Sequence, residues 1–117
     1  MSYLTCPVEE CNRKIRGVHD TMDLLSGKWK ISIVASLCYH NSRRFSDLLK
    51  DVNGISNKML SKELKELELN KLVTRRVENT QPIAVTYQLT DYGLKLQKVI
   101  ENLSEWGIEH RKFILGI

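Results

Sequence analysis

The spacing of apolar residues changes once along this chain and then changes back, and that order limits the folds open to it. Helical spacing, in which apolar residues recur every three or four positions, holds from Arg13 to Asn70. Strict alternation replaces it between Val73 and Leu89, and helical spacing returns afterwards. The sequence therefore predicts a mainly α-helical chain with one small β-hairpin.

Turn and capping residues divide the first helical stretch into four helices. Gly27 ends the first, and Asn41-Ser42 separates the second from the third, with Ser42 as the expected N-cap. Asn53-Gly54 forms the next turn, because glycine tolerates the positive φ of a tight reversal. Ser56 then caps a fourth helix that we expect to run to Asn70.

Length and composition predict one folded domain. The chain has 117 residues, of which 42% are hydrophobic and 27% charged. We divide it into an arm at 1–12, a helix-turn-helix at 43–70, a wing at 72–90 and a last helix at 91–117. Since the first 25 residues hold no apolar run and no stretch reaches the roughly 20 apolar residues of a membrane span, we expect a cytoplasmic protein.

Two helices joined by a short turn and followed by a hairpin form a winged helix-turn-helix, in which the second of the two lies in the major groove of DNA. Leu60, Leu64 and Leu67 would face the core. The opposite face would then expose side chains able to bond base edges or phosphates: Ser56, Asn57, Lys58, Ser61, Lys62 and Lys65. The sequence therefore predicts double-stranded DNA as the partner.

The fourth helix alone is weak evidence for DNA binding, because any surface helix has a polar face. Glu63, Glu66 and Glu68 interrupt its basic stripe, and a net charge of +4 permits a polyanionic partner without requiring one. Its place between a bracing helix and a hairpin is the stronger argument. A winged-helix module that binds only other proteins stays open as an alternative.

Residues outside the fourth helix extend the predicted interface. Arg43 and Arg44 stand at the expected start of the third helix, where a helix N-terminus already attracts phosphate. Arg76 shares the outward phase of the first strand and could reach the DNA backbone. The wing tip carries no positive charge, so Gln81 or Thr80 would have to make any contact there.

The last helix carries a coiled-coil-like seam, which predicts self-association. After Thr90 as the expected cap, apolar and aromatic side chains recur at alternating steps of four and three. A helix of this length is a rod of roughly 36 Å, long for so small a domain unless something covers its far side. The predicted dimer contacts are Leu96, Val99, Leu103, Trp106, His110 and Phe113.

Three cysteines form an odd and sparse set, so free thiols are expected. Cys6 and Cys11 are candidate sensors or incidental packing residues, and nearby basic residues could lower a thiol pKa. Cys38 lies beside the core face of the second helix and is expected to pack there. A metal-responsive regulator, with one ion shared by Cys6, Cys11 and His19, is a further alternative, although this spacing is a weak zinc signal. No spacing indicates a catalytic group, a resident metal or a cofactor.

Three blocks of this chain resemble the HxlR-type winged-helix regulators of bacteria: SGKWK at 26–30, RRFSDLLKDVNGISNKMLSKELKELELNKLVTRRV at 43–77 and YQLTDYG at 87–93. The resemblance implies a homodimer whose N-terminal and C-terminal helices form the interface. It also implies two recognition helices on an inverted-repeat operator. The resemblance further implies that the protein controls nearby genes, often as a repressor that responds to electrophiles or oxidants.

Within that resemblance, residues 56–70 match the recognition helix, Arg43 and Arg44 match a basic pair, and Trp29 matches a tryptophan that packs. The Cys6-Pro7 pair resembles the N-terminal sensor cysteine of some members. Two departures stand out. Ala84 replaces a basic residue common before the second wing strand, and the gap between Cys6 and the first block is several residues longer than usual.

Overall fold

The computed structural model describes residues 6–117. Helices dominate, and the small sheet is antiparallel, so the winged helix expected from the sequence is confirmed. The elements are α1 (Val8–Leu24), α2 (Lys30–His40), β1 (Ser42–Arg44), α3 (Phe45–Asp51), α4 (Asn57–Leu69), β2 (Val73–Glu78), β3 (Ala84–Leu89), a 3-10 turn (Gly93–Leu96) and α5 (Gln97–Leu115).

The hairpin of β2 and β3 gains a third strand that the sequence analysis missed. The strand order is β1-β3-β2, and Arg43 lies opposite Tyr87 in the central strand. The expectation that Ser42 caps the third helix is wrong, because Asn41 reverses the chain with a φ of 68° and Ser42 enters the sheet. A strand of three residues is too short to show an alternation, and its pairing partner is remote in sequence.

The core lies between α2, α3, α4 and the root of the sheet. Leu60, Leu64 and Leu67 are buried, as their spacing predicted, and Ile33 and Leu37 of α2 are buried with them. Burying one such side chain contributes about 2 kcal/mol, so this leucine stripe fixes which side of α4 faces inward.

The first and last helices begin at other residues than the sequence predicted. α1 starts at Val8, so an arm over residues 1–12 is wrong for residues 8–12, while residues 1–5 lie outside the described part. Glu9 and Glu10 in the first turn favour this earlier start, because acidic side chains stabilise the positive end of a helix dipole. Thr90 accepts a hydrogen bond from the Gly93 amide at 2.9 Å, but a 3-10 turn precedes α5.

α1 and α5 extend away from this core. α1 has no buried residue, and α5 buries only Ile100 among its nineteen residues. The radius of gyration is 17.0 Å, whereas a compact chain of this length has one of roughly 13 Å. Within residues 6–117, no helix combines the length and apolar character needed to cross a bilayer.

Asp51 ties three elements together beside the turn that leads to α4. The Arg43 guanidinium donates two hydrogen bonds of 2.8 Å to its carboxylate, and the Ser36 hydroxyl donates a third of 2.8 Å. The hydrogen bond from Arg43 holds the pKa of Asp51 below its ordinary value of 3.8. This network connects α2, β1 and the end of α3.

We expect Asp51→Asn to lower the free energy of unfolding by about 1 kcal/mol at neutral pH, because the charged acceptor is lost. Because the pKa of Asp51 is lower in the folded state, its charged carboxylate stabilises the protein above the unfolded value of 3.8. This contribution to stability is lost as the pH falls through the folded pKa. Urea unfolding over a pH series should therefore show the two proteins converging in acid. Asp91→Asn, at an exposed carboxylate, is the control, and a gap that persists in acid would contradict the assignment.

Candidate DNA-binding interface

The turn between α3 and α4 is anchored on both sides. Val52 and Ile55 are buried, and between them Gly54 adopts a φ of 89°, which favours glycine. A Cβ atom on Gly54 would lie 3.9 Å from the ring of Trp29, so the tryptophan packs beneath the turn. Ser56 caps α4 by accepting a hydrogen bond from the Met59 amide at 3.1 Å. The start of α4 is therefore set rigidly against the core.

The face of α4 opposite the leucine stripe is basic and exposed. Polar side chains project there over the first two and a half turns, and each of them is exposed: Asn57, Lys58, Ser61, Lys62 and Lys65. Amide, ammonium and hydroxyl groups can donate hydrogen bonds to base edges and phosphates. The structure thus brings together, on one helix face, five of the six residues that the sequence predicted for it, while the sixth, Ser56, is the N-cap of α4.

The glutamates of α4 do not dilute that face as the sequence analysis supposed. The Nζ atom of Lys30 lies 2.5 Å from Oε2 of Glu63 and also forms an ion pair with Glu66. Burial lowers the pKa of Lys30, but hydrogen bonds to the two glutamates outweigh it and raise the pKa overall. The hydrogen bond from Lys30 lowers the pKa of Glu66. Two of the three acidic side chains are therefore neutralised in part by a lysine from α2.

Sequence reasoning missed Lys30, although a signal was present. Lys30 stands three and four residues before Ile33 and Val34, in the buried phase of α2. Glu63 likewise stands between Leu60 and Leu67 in the buried phase of α4. Opposite charges in the inward phases of two packed helices indicate a buried ion pair, since an unpaired charge would be costly there.

The two arginines before α3, Arg43 and Arg44, have different contacts. Arg43 is held by Asp51, and its side chain is 26% exposed. Arg44 is exposed, and its backbone amide donates to the Asp47 carboxylate at 3.1 Å. Of the two guanidinium groups, only that of Arg44 is left facing solvent without an ion pair among the described residues.

Most of β2 and the tip of the wing are exposed, whereas β3 is buried or partly buried. Arg76 faces solvent as expected, but Arg75 and Val77 are exposed too, although they share the phase of buried Val73. At the tip, Gln81 is exposed, and the Thr80 hydroxyl donates to the Pro82 carbonyl at 2.6 Å.

Cys6 and Cys11 are joined in a disulfide, so the expectation of free thiols is wrong for this pair. Their Cα atoms lie 5.6 Å apart because α1 begins at Val8 and turns the chain back between them. Cys38 is a free, partly buried thiol packed against the core, and burial raises its pKa.

A metal site at Cys6, Cys11 and His19 is not supported. Cys11 and His19 both lie on α1, and eight residues of helix separate them by about 12 Å along its axis. Among residues 6–117, no three potential ligands lie close enough together to hold an ion.

The seam of α5 lies open to solvent. Trp106 is 68% exposed and Phe113 85% exposed, while Leu96 is partly buried against the core. The ring of His110 stacks on Trp106 with centroids 4.9 Å apart. Val18 and Met22 of α1 line an apolar cavity of ≈ 570 Å³ together with two seam residues, Val99 and Leu103.

Comparison with known proteins identifies the family. Residues 24–113 match the model of the HxlR-like helix-turn-helix family. The HTH-type transcriptional regulator YtcD of Bacillus subtilis is 35% identical over 99 residues, which are 85% of this chain and 78% of YtcD. Transcriptional regulation, the role given in the name of this relative, is a non-enzymatic function.

Two solved structures share the fold. The redox regulator HypR in its reduced form superposes with a TM-score of 0.72 and 32% identity, covering 86% of this chain and 99% of HypR. Diamide-treated YodB from B. subtilis gives a TM-score of 0.63 and 29% identity, covering 92% of this chain and 96% of YodB. With its winged helix and the basic face of α4, this chain belongs to the HxlR-like helix-turn-helix family and is a DNA-binding transcriptional regulator.

Proposed function

We propose that the protein acts as a homodimeric repressor that places α4 of each copy in the major groove of an inverted-repeat operator. The observation that carries this proposal is the exposed basic face of α4 on a helix fixed by its leucine stripe. Two-fold symmetry would set the recognition helices about one DNA turn, roughly 34 Å, apart.

The residues divide by role according to their position. Asn57, Lys58, Ser61 and Lys62 lie toward the N-terminal end of α4 and are proposed to read bases. The remaining proposed contacts are to phosphates and are made by Arg44, Ser56, Lys65, Arg76 and Gln81. Arg43 is proposed to act indirectly, through its ion pair with Asp51.

Exposure of α1 and α5 supports the homodimer. α1 buries none of its side chains, and the α5 seam presents large apolar and aromatic groups to solvent. Exposed apolar surface of this extent marks an association site. The proposed interface on the 3-10 turn and α5 comprises Leu96, Val99, Leu103, Trp106, His110 and Phe113.

Response to an oxidant or electrophile is the proposed regulatory input, supported by the likeness to HypR and YodB and by the Cys6–Cys11 bridge. Oxidation would join the two thiols in a disulfide and pass two electrons and two protons to the oxidant. Because Cys11 lies in α1, bridge formation would change the start of a helix proposed to lie at the dimer interface.

Lys62→Ala should weaken binding to a labelled fragment from upstream of its own gene by about 1–3 kcal/mol if Lys62 contacts a base. Anisotropy between about 50 and 200 mM salt should show a steep loss of affinity, as expected for phosphate contacts. Lys98→Ala on α5 removes the same charge and should bind nearly as wild type. Binding unchanged by Lys62→Ala and Asn57→Ala together would remove α4 as the recognition helix, and insensitivity to salt would favour a protein-interaction module.

Joint replacement of Trp106 and Phe113 by alanine should convert dimers to monomers, because each aromatic anchor of an interface contributes about 2 kcal/mol or more. Analytical ultracentrifugation measures the dissociation constant. Ile108→Ala is the control, since Ile108 is exposed two residues beyond Trp106 and so lies on the other side of α5. A double variant as dimeric as wild type would contradict the proposed interface.

Treatment with diamide should lower the operator affinity of the reduced protein at least about fivefold, the size of a typical coupling between sites. Cys6→Ser should abolish this response because no bridge to Cys11 can form. Cys38→Ser should retain it. An identical response in wild type and Cys6→Ser would exclude Cys6 as the sensor.

A further inference from the structure

We infer that Lys30 is a positioning residue for DNA recognition: its ion pairs with Glu63 and Glu66 fix how the exposed face of α4 is turned relative to α2. This inference rests on the proposed role of α4 as the recognition helix. It assigns a function to three charged residues that make no proposed contact with DNA.

The contacts between Lys30 and the two glutamates are largely shielded from solvent. Lys30 is the first residue of α2, and its side chain is 10% exposed. The Glu63 side chain is also 10% exposed, and its Oε2 atom lies 2.5 Å from Nζ of Lys30. Glu66 is paired to the same ammonium group and is 39% exposed at the edge of the cluster. One lysine thus holds two successive turns of α4.

An ion pair adds something here that the leucine stripe lacks. Apolar burial is non-directional, so three leucines hold α4 on the core but tolerate small rotations and shifts of the helix. A buried ion pair contributes little net stability compared with apolar residues of similar size, yet charged or polar groups can fix the register of packed helices. Lys30 is therefore suited to setting orientation rather than to adding stability.

The orientation of the glutamates determines that of the lysines beside them. Lys62 directly precedes Glu63, and Lys65 directly precedes Glu66. Neighbouring residues on an α-helix project about 100° apart, so fixing the direction of one fixes the other. Through this geometry, Lys30 on the inner side of α4 sets where the proposed DNA-binding lysines point on the outer side.

The charge state of the cluster suits a constant positioning role. The hydrogen bonds that Lys30 donates to the two glutamates raise its pKa despite its burial. The same hydrogen bond lowers the pKa of Glu66. Lys30 and Glu66 therefore stay charged throughout the neutral pH range, and their ion pair does not depend on pH within it.

The test compares folded variants that remove or restore the link. Lys30→Met alone leaves buried Glu63 without its cation and risks unfolding. The triple variant Lys30→Met/Glu63→Leu/Glu66→Gln removes every charge of the cluster and keeps its apolar volume. Its net charge rises by one from +4, since one lysine and two glutamates are lost. The exchange variant Lys30→Glu/Glu63→Lys/Glu66→Gln has the same net charge as the triple variant, reverses the Lys30–Glu63 pair and leaves no carboxylate at position 66 to repel the new glutamate.

We expect the triple variant to melt at or above the wild-type temperature and to bind the upstream fragment roughly tenfold more weakly, the effect of misplacing about one base contact. Its binding to unrelated DNA should be unchanged or tighter, because its net charge is higher. These opposite changes separate positioning from a merely structural role. The exchange variant should recover most of the specific affinity.

A folded triple variant with wild-type affinity for both DNAs would overturn the inference. A folded exchange variant that binds no better than the triple variant would overturn it too. Lys62→Ala, measured in parallel, separates the two proposals. If Lys62→Ala weakens binding and the triple variant does not, the positioning role alone fails, whereas the proposed function fails if Lys62→Ala and Asn57→Ala together have no effect.

Discussion

The burial of three leucines on one side of α4 is the constraint on which the rest of the interface depends. Leu60, Leu64 and Leu67 are all but inaccessible to solvent, packed against α2 and the root of the sheet. Because residues on a helix have fixed relative directions, this burial leaves the lysines of α4 on the outside. The apolar pattern therefore determines both the core of the domain and the position of its basic surface.

Long periodic elements were predictable from sequence, and short or paired features were not. The bounds of α4 and the hairpin followed from apolar spacing, capping by Ser56 and the turn at Gly54. β1 depends on pairing with β3, some forty residues away, and three residues carry no usable period. The Cys6–Cys11 bridge depends on where α1 begins, which an arm interpretation left undefined.

The two terminal helices contribute little to the hydrophobic core. A domain of this size has a limited interior, and here it is filled by α2, α3, α4 and the sheet root. α5 reaches that interior through Ile100, and α1 buries nothing. The sequence predicted an apolar seam on the last helix, but it could not say that most of this seam, including Trp106 and Phe113, lies outside the core of one chain.

Net charge describes this protein poorly, because its cations are divided between internal and external partners. Lys30 is enclosed by Glu63 and Glu66, and Arg43 is bound by Asp51. Lys62 and Arg44, in contrast, are exposed and outside the ion pairs of the described chain. Residues of the same type thus differ in role according to whether a carboxylate lies within reach. The pairing with Lys30, which encloses Glu63 and partly neutralises Glu66, leaves the outer face of α4 more basic than its composition indicates.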